Sequence, residues 1–132
     1  MDKHALEALL AQAPTTAPLP VVFVGHGSPL NGIQDTPYAR GWEKIGEGIP
    51  RPHAILVISA HWLTEGTGID ISERPTTLYD FYGFPEELYA LKYEAPGAPQ
   101  YARLTKNIVA SQKIEEERYG LDHGAWVPLL HM

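Results

Sequence analysis

Apolar positions along the chain come in two textures, short unbroken runs and runs spaced for one face of a helix. Val21 to Gly25 and Ala54 to Ala60 are of the first kind and rich in β-branched residues, which predicts strands of a parallel sheet buried on both faces. The second kind includes Leu6, Leu9 and Leu10, which predict a short amphipathic helix within Asp2 to Ala13, followed by a linker from Pro14 to Pro20. Tyr38 to Ile49 sets Trp42 and Ile45 on one helix face and ends near Gly48 and Pro50, while Pro99 to Ser111 does the same with Tyr101, Leu104, Ile108 and Val109. Gly66 to Ile71 reads as a third strand, Lys113 to Glu117 as a polar edge strand or loop, and Leu121 to Met132 as a turn running into an apolar helix. The strand, helix, strand order from Val21 to Ala60 implies a right-handed parallel crossover. The expected fold class is therefore α/β, a parallel sheet in a three-layer core, forming one domain over residues 1–132 with 1–19 as helix and linker.

Both apolar runs stop at a histidine, in Val24-Gly25-His26-Gly27-Ser28-Pro29 and in Ile58-Ser59-Ala60-His61-Trp62. Open α/β sheets bind ligands beyond the carboxyl ends of their strands, and the 35-residue separation is about one strand-helix-strand unit, so neighbouring strands would set the two rings side by side. Either histidine alone reads more readily as a core imidazole bonded to backbone. As a matched pair they point to a shared metal, for which zinc or iron needs at least one more protein ligand. A histidine-and-carboxylate set with open positions suits iron(II) and oxygen.

His123 lies between Asp122 and Gly124, where a helix is about to start. It is either a proton donor, if another charge keeps it protonated, or a packing residue beside an Asp122 cap. His4, His53 and His131 carry no chemistry on this reading. Ser28 lacks the Gly-x-Ser-x-Gly frame of a hydrolase elbow, and Gly25-His26-Gly27 lacks the spacing of a phosphate loop. Thr77 to Pro85 is dense in aromatics, which fits an ordered Ω-like loop, a wall for a flat ligand, or core packing.

Composition narrows the classes further. Ten basic against 16 acidic side chains give a formal charge of −6 with no basic stripe, which argues against nucleic acid as a partner. The absence of cysteine excludes disulfides and thiolate sites and fits a reducing compartment, so the expected location is the cytoplasm. No apolar run approaches the roughly 20 residues of a membrane helix, and the N-terminus lacks a basic-then-apolar leader, so no membrane association is expected.

Four phrases together, Phe23-Val24-Gly25-His26-Gly27-Ser28-Pro29, Val57-Ile58-Ser59-Ala60-His61-Trp62, Tyr79-Asp80-Phe81-Tyr82-Gly83-Phe84-Pro85 and Leu121-Asp122-His123-Gly124-Ala125-Trp126, resemble the DOPA 4,5-dioxygenase-type branch of the class III extradiol ring-cleaving dioxygenases. The resemblance runs from Leu19 onward, with the motifs in family order. It implies that His26 and His61 bind one divalent metal, Fe(II) for oxygen chemistry or Zn(II) as found bound, and that His123 is the proton donor. It also implies a small aromatic diol and O2 as partners, with Tyr79 to Phe84 flanking the ring. Family members run to roughly twice this length, with a further metal ligand and a second acid/base histidine in the other half. The chain thus resembles an N-terminal half, truncated relative to the family domain, and its metal site is expected to be incomplete and to bind weakly. The competing readings are a zinc-dependent hydrolase using the same two histidines and a non-catalytic remnant that binds partners. Exposed apolar surface is expected along 54–60 and on a Trp126 to Leu130 helix, relieved by homo-oligomers in which a neighbour lends a ligand such as His131 or a glutamate.

Overall fold

The structure is a computed structural model that describes residues 3–12, 15–109 and 111–132. In chain order it forms α1 (Lys3–Gln12), a 3-10 turn (Pro29–Gly32), α2 (Pro37–Gly48), β1 (Thr67–Asp70), α3 (Glu86–Ala90), α4 (Pro99–Ile108), β2 (Ile114–Glu117) and α5 (His123–Leu129). The expected helix ends at Asp2 and Ala13 fall outside the described residues, as do Ala110 within the expected Pro99 to Ser111 helix and the apolar face expected for Leu6, Leu9 and Leu10. Among the described residues no helix is long and apolar enough to cross a membrane.

The chain is α/β with parallel strand pairing. β1 and β2 run parallel with Thr67 opposite Ile114 and Asp70 opposite Glu117, and α4 packs against β1. Beyond β1 the Asp70 carboxylate accepts from the Ser72, Tyr119 and Gly120 amides at 2.7, 2.8 and 2.6 Å, which ties the strand end to the loop leading into α5. An isolated parallel bridge, Thr77 with Leu121, carries that tie toward the aromatic segment.

α2 starts where Thr36 accepts the Ala39 amide at 3.1 Å and Pro37 occupies the first turn, a position that needs no amide donor. It buries Ala39 and Trp42 against Leu88 of α3 and Trp126 and Val127 of α5. Tyr79, Phe81 and Phe84 pack on the same cluster, so core packing accounts for most of the aromatic segment. The α3 turn inside this region was not expected from the sequence.

Two expectations are corrected. Val21 to Gly25 and Ala54 to Ala60 form no ladder: the hydrogen-bonded sheet of the described residues holds β1 and β2 alone, and Ala60 already lies in a turn. A buried parallel strand needs neighbours for its amides and cover for both faces. Here Phe23 is 101% exposed and Ile58 92%, so water rather than protein meets these segments. The α5 helix, by contrast, is not exposed, because α2, α3 and the aromatic segment enclose Trp126 and Val127.

Candidate metal centre

Three segments remote in sequence each deliver one imidazole. The chain reverses after His26 at Gly27, whose φ of 60° lies in the left-handed region that favours glycine. Behind this turn Asn31, only 6% exposed, donates its Nδ2 to the His26 carbonyl at 3.2 Å and accepts the Thr36 hydroxyl on Oδ1 at 2.8 Å. Since Thr36 also caps α2, the His26 backbone is fixed to the helix through two side chains.

His61 is held from the other side. Ser59 accepts the His61 amide at 3.3 Å and donates to Asp122 Oδ1 at 2.7 Å, and the same oxygen accepts the Gly124 amide at 2.7 Å. Asp122, 2% exposed, therefore caps α5 and anchors the segment before His61 together. Glycine at 124 permits the approach: a Cβ there would stand 2.7 Å from Ser59 Oγ and 3.3 Å from His61 Cδ2.

His123, 6% exposed, is gripped by Asp80 at two points. Its amide donates to Oδ1 at 2.9 Å, and its Nδ1 lies 2.9 Å from Oδ2. Phe81 meets the ring edge-on at 5.7 Å between centroids.

The three rings converge. Their centroids are 4.7 Å apart for His26 and His61, 5.1 Å for His26 and His123, and 4.3 Å for His61 and His123. One ring nitrogen from each lies within 4.8 Å of the others. His26 Nε2 and His61 Nε2 are 3.0 Å apart, a distance that one N–H···N bond satisfies when the tautomers differ. It also fits a shared metal, since nitrogens bound cis on bonds of about 2.1 Å lie about 3.0–3.4 Å apart. Burial, followed by the neighbouring His123 and His61, pushes the His26 pKa below its ordinary value against the pull of Asp122 and Asp80. The neutral ring with a free lone pair is the form a metal needs.

A second group of Asp80, Asp122 and His123 is equally close-set. Its oxygens are already engaged, those of Asp80 by His123 and Oδ1 of Asp122 by Ser59 and Gly124. The chemistry favours the histidines.

Two hollows do not include the three rings, although the second is bordered by Ser59 and Asp122. One of about 610 Å³ is lined by Arg74, Lys92, Tyr93 and Glu94, and one of about 470 Å³ by Leu56, Ile58 and Val109. Neither is lined by the three histidines. The donor set rather than the depth of a cavity marks the site.

The three histidines singled out in the sequence are thus brought together. Ser28 accepts the Leu30 amide at 3.2 Å as the cap of the 3-10 turn. His131 does not present itself to a neighbour: its Nε2 lies 2.7 Å from the Asn31 carbonyl and its ring packs 5.9 Å from Trp42. Sequence reasoning missed Asn31, Ser59 and Asp80. For Asp80 a signal existed, the one charge within an aromatic run.

Comparison with known proteins follows the same line. Residues 18–132 match the family model described as the catalytic LigB subunit of aromatic ring-opening dioxygenase. The chain is 46% identical over 116 residues to the 4,5-DOPA dioxygenase extradiol of Escherichia coli (strain K12), covering 86% of this chain and 43% of that protein. It is 41% identical over 119 residues to the 4,5-DOPA dioxygenase extradiol of Beta vulgaris, covering 83% and 44%. A crystal structure of an uncharacterized protein from Escherichia coli K12 aligns with a TM-score of 0.57 at 38% identity, covering 76% of this chain and 36% of that one. The chain spans less than half the length of these curated relatives. With the motifs, the fold and this match in agreement, it belongs to the LigB family of aromatic ring-opening dioxygenases.

Proposed function

We propose that residues 1–132 act as one catalytic-type α/β domain for extradiol cleavage of a catechol of the DOPA kind by O2. The observation that carries this reading is the convergence of His26, His61 and His123, with ring nitrogens within 4.8 Å, in a chain whose relatives are named 4,5-DOPA dioxygenase extradiol. His26 and His61 hold the divalent metal, iron(II) for the oxygen chemistry and zinc(II) as a redox-silent occupant. When bound, iron(II) supplies the Lewis acidity and electron transfer that let a diol react with O2.

The chain's own residues position groups and move the proton. Burial and the neighbouring imidazoles push the His26 pKa below its ordinary value, which favours the form that offers a lone pair. His123, with Nδ1 on Asp80, uses Nε2 to take a proton from a diol hydroxyl and to return it to oxygen as the ring opens. Asp80 stabilises the imidazolium formed in between, as a carboxylate behind a catalytic histidine does. Both oxygen atoms end in the product as one ring carbon-carbon bond beside the diol breaks, so no outside reductant is consumed. The exposed Tyr82 remains to flank the flat ring, with Phe81, edge-on to His123, forming the wall where the core cluster that also holds Tyr79 and Phe84 meets the site. The cysteine-free, acidic composition fits action in the cytoplasm without nucleic acid.

The test is absorbance after mixing the chain with fresh iron(II), a catechol and air. A yellow semialdehyde product is expected, abolished in His26→Ala or His61→Ala and slowed by about 100-fold or more in His123→Ala. Flat absorbance with ester turnover under zinc would transfer the site to hydrolysis, and silence in both assays would leave a non-catalytic protein.

A further inference from the structure

The hollow of about 610 Å³ lies between two stretches of chain, 73–77 and 92–96, that are sutured to each other near both ends. At one end the Gly97 amide donates to the Glu73 carbonyl at 2.8 Å. Glycine at 97 permits this approach, because a Cβ there would run into the Ser72 carbonyl oxygen. At the other end Thr77 Oγ1 accepts the Tyr93 amide at 2.9 Å and donates to the Tyr93 carbonyl at 3.4 Å. Pro75 and Pro96, each with a fixed φ, stiffen the opposite rims between these sutures. Tyr79 and Tyr93 line the hollow from the side of the core cluster, against which both pack. The frame is thus held by backbone contacts rather than by the charged side chains that border it.

Each rim carries both signs of charge, Glu73 and Arg74 on the first and Lys92 and Glu94 on the second. None of these four side chains has a hydrogen bond or ion pair among the described residues. A plain anion would meet Glu73 and Glu94 here, and a plain cation would meet Arg74 and Lys92. A guest that carries both charges close together answers all four. The volume is that of a small-molecule site, and the two tyrosine rings and two prolines offer apolar area to the body of such a guest. No histidine borders the hollow, which separates it from the proposed metal centre. We infer that it binds a free α-amino acid with an apolar side chain, the carboxylate held by Arg74 and Lys92 and the ammonium by Glu73 and Glu94. Arg74 suits the carboxylate in particular, since a planar guanidinium takes both of its oxygens together.

Amide NMR of the full chain in metal-free buffer tests this by titration with L-leucine, and separately with isocaproate and isoamylamine, which each lack one of its charges. Leucine has no ring and no diol, so it makes no demand on the histidines. The expected result is a saturable shift confined to the amides of 73–77 and 92–97, with both single-charge probes weaker by about tenfold or more, the worth of one charge-assisted contact. A single-charge probe that binds as well as leucine would overturn the zwitterion assignment. Shifts that never saturate, or that centre on other residues, would overturn the site itself. Arg74→Gln combined with Lys92→Gln should weaken leucine binding by about tenfold. The thermal midpoint should stay unchanged, because neither side chain has a partner to lose. Unaltered affinity in that double variant would remove both cations from the role.

Discussion

At the residue scale, the chemistry depends on side chains that never touch one another's sequence neighbourhood. Asp122 reaches Ser59 across 63 positions, and Asp80 reaches His123 across 43. The histidines themselves were legible, because an apolar run that stops at His26 or His61 is a local pattern. Asn31 and Ser59 were not, because a brace is defined by what it meets and no local spacing records that, and Asp80 showed only as the one charge within an aromatic run. Gly124 shows the same dependence on distant partners. Alanine there would place a Cβ 2.7 Å from Ser59 Oγ and 2.9 Å from Asp122 Oδ1, both of which are already engaged. Gly124→Ala should therefore destabilise the fold by about 1–3 kcal/mol in urea titration, through overpacking and a weakened Ser59 to Asp122 bond. A variant as stable as the parent would show that the α5 start and the His61 segment are not held this tightly.

At the element scale, what could be read was what the chain completes internally. The α2, α4 and α5 helices and the β1 strand follow from periodicity, capping and their partners, and each lies close to its expected place. Val21 to Gly25 and Ala54 to Ala60 carry the strongest strand pattern of all, yet they remain unpaired. Composition reports what a strand is suited to, whereas a ladder also requires a neighbour. The five-residue α3 was missed because one turn and a half shows no period. The β1 end makes a prediction of its own. Burial alone would raise the Asp70 carboxyl, but hydrogen bonds from Ser72, Gly120 and Tyr119 outweigh it and hold the pKa below its ordinary value. A carboxylate depressed in the folded state contributes stability above its unfolded value of about 3.9, and that contribution is lost as pH falls through the folded value. Asp70→Asn should thus cost about 1–2 kcal/mol near pH 7, with the two stability curves converging below about pH 4. A constant gap down to the acid limit would contradict a charged role for Asp70.

At the scale of the whole molecule, the polar centre is assembled while an apolar face beside it is not covered. Val21, Phe23, Ile58 and Leu63 are exposed, as is much of 55–57, and large apolar side chains left to water in this number favour contact with another surface. We propose that copies of the chain cover it by self-association. Within one chain His131 is already engaged, its Nε2 with the Asn31 carbonyl. The expectation of a weakly held metal rested on counting two ligands. Metal content and molar mass, taken by elemental analysis and light scattering on one sample after zinc loading and desalting, test the proposed metal centre at His26 and His61 most directly. The account predicts one zinc per chain in an assembly larger than a monomer, with the metal lost from a chain carrying both His26→Ala and His61→Ala. A chain that desalts free of metal, or a double variant that keeps it, would contradict the account.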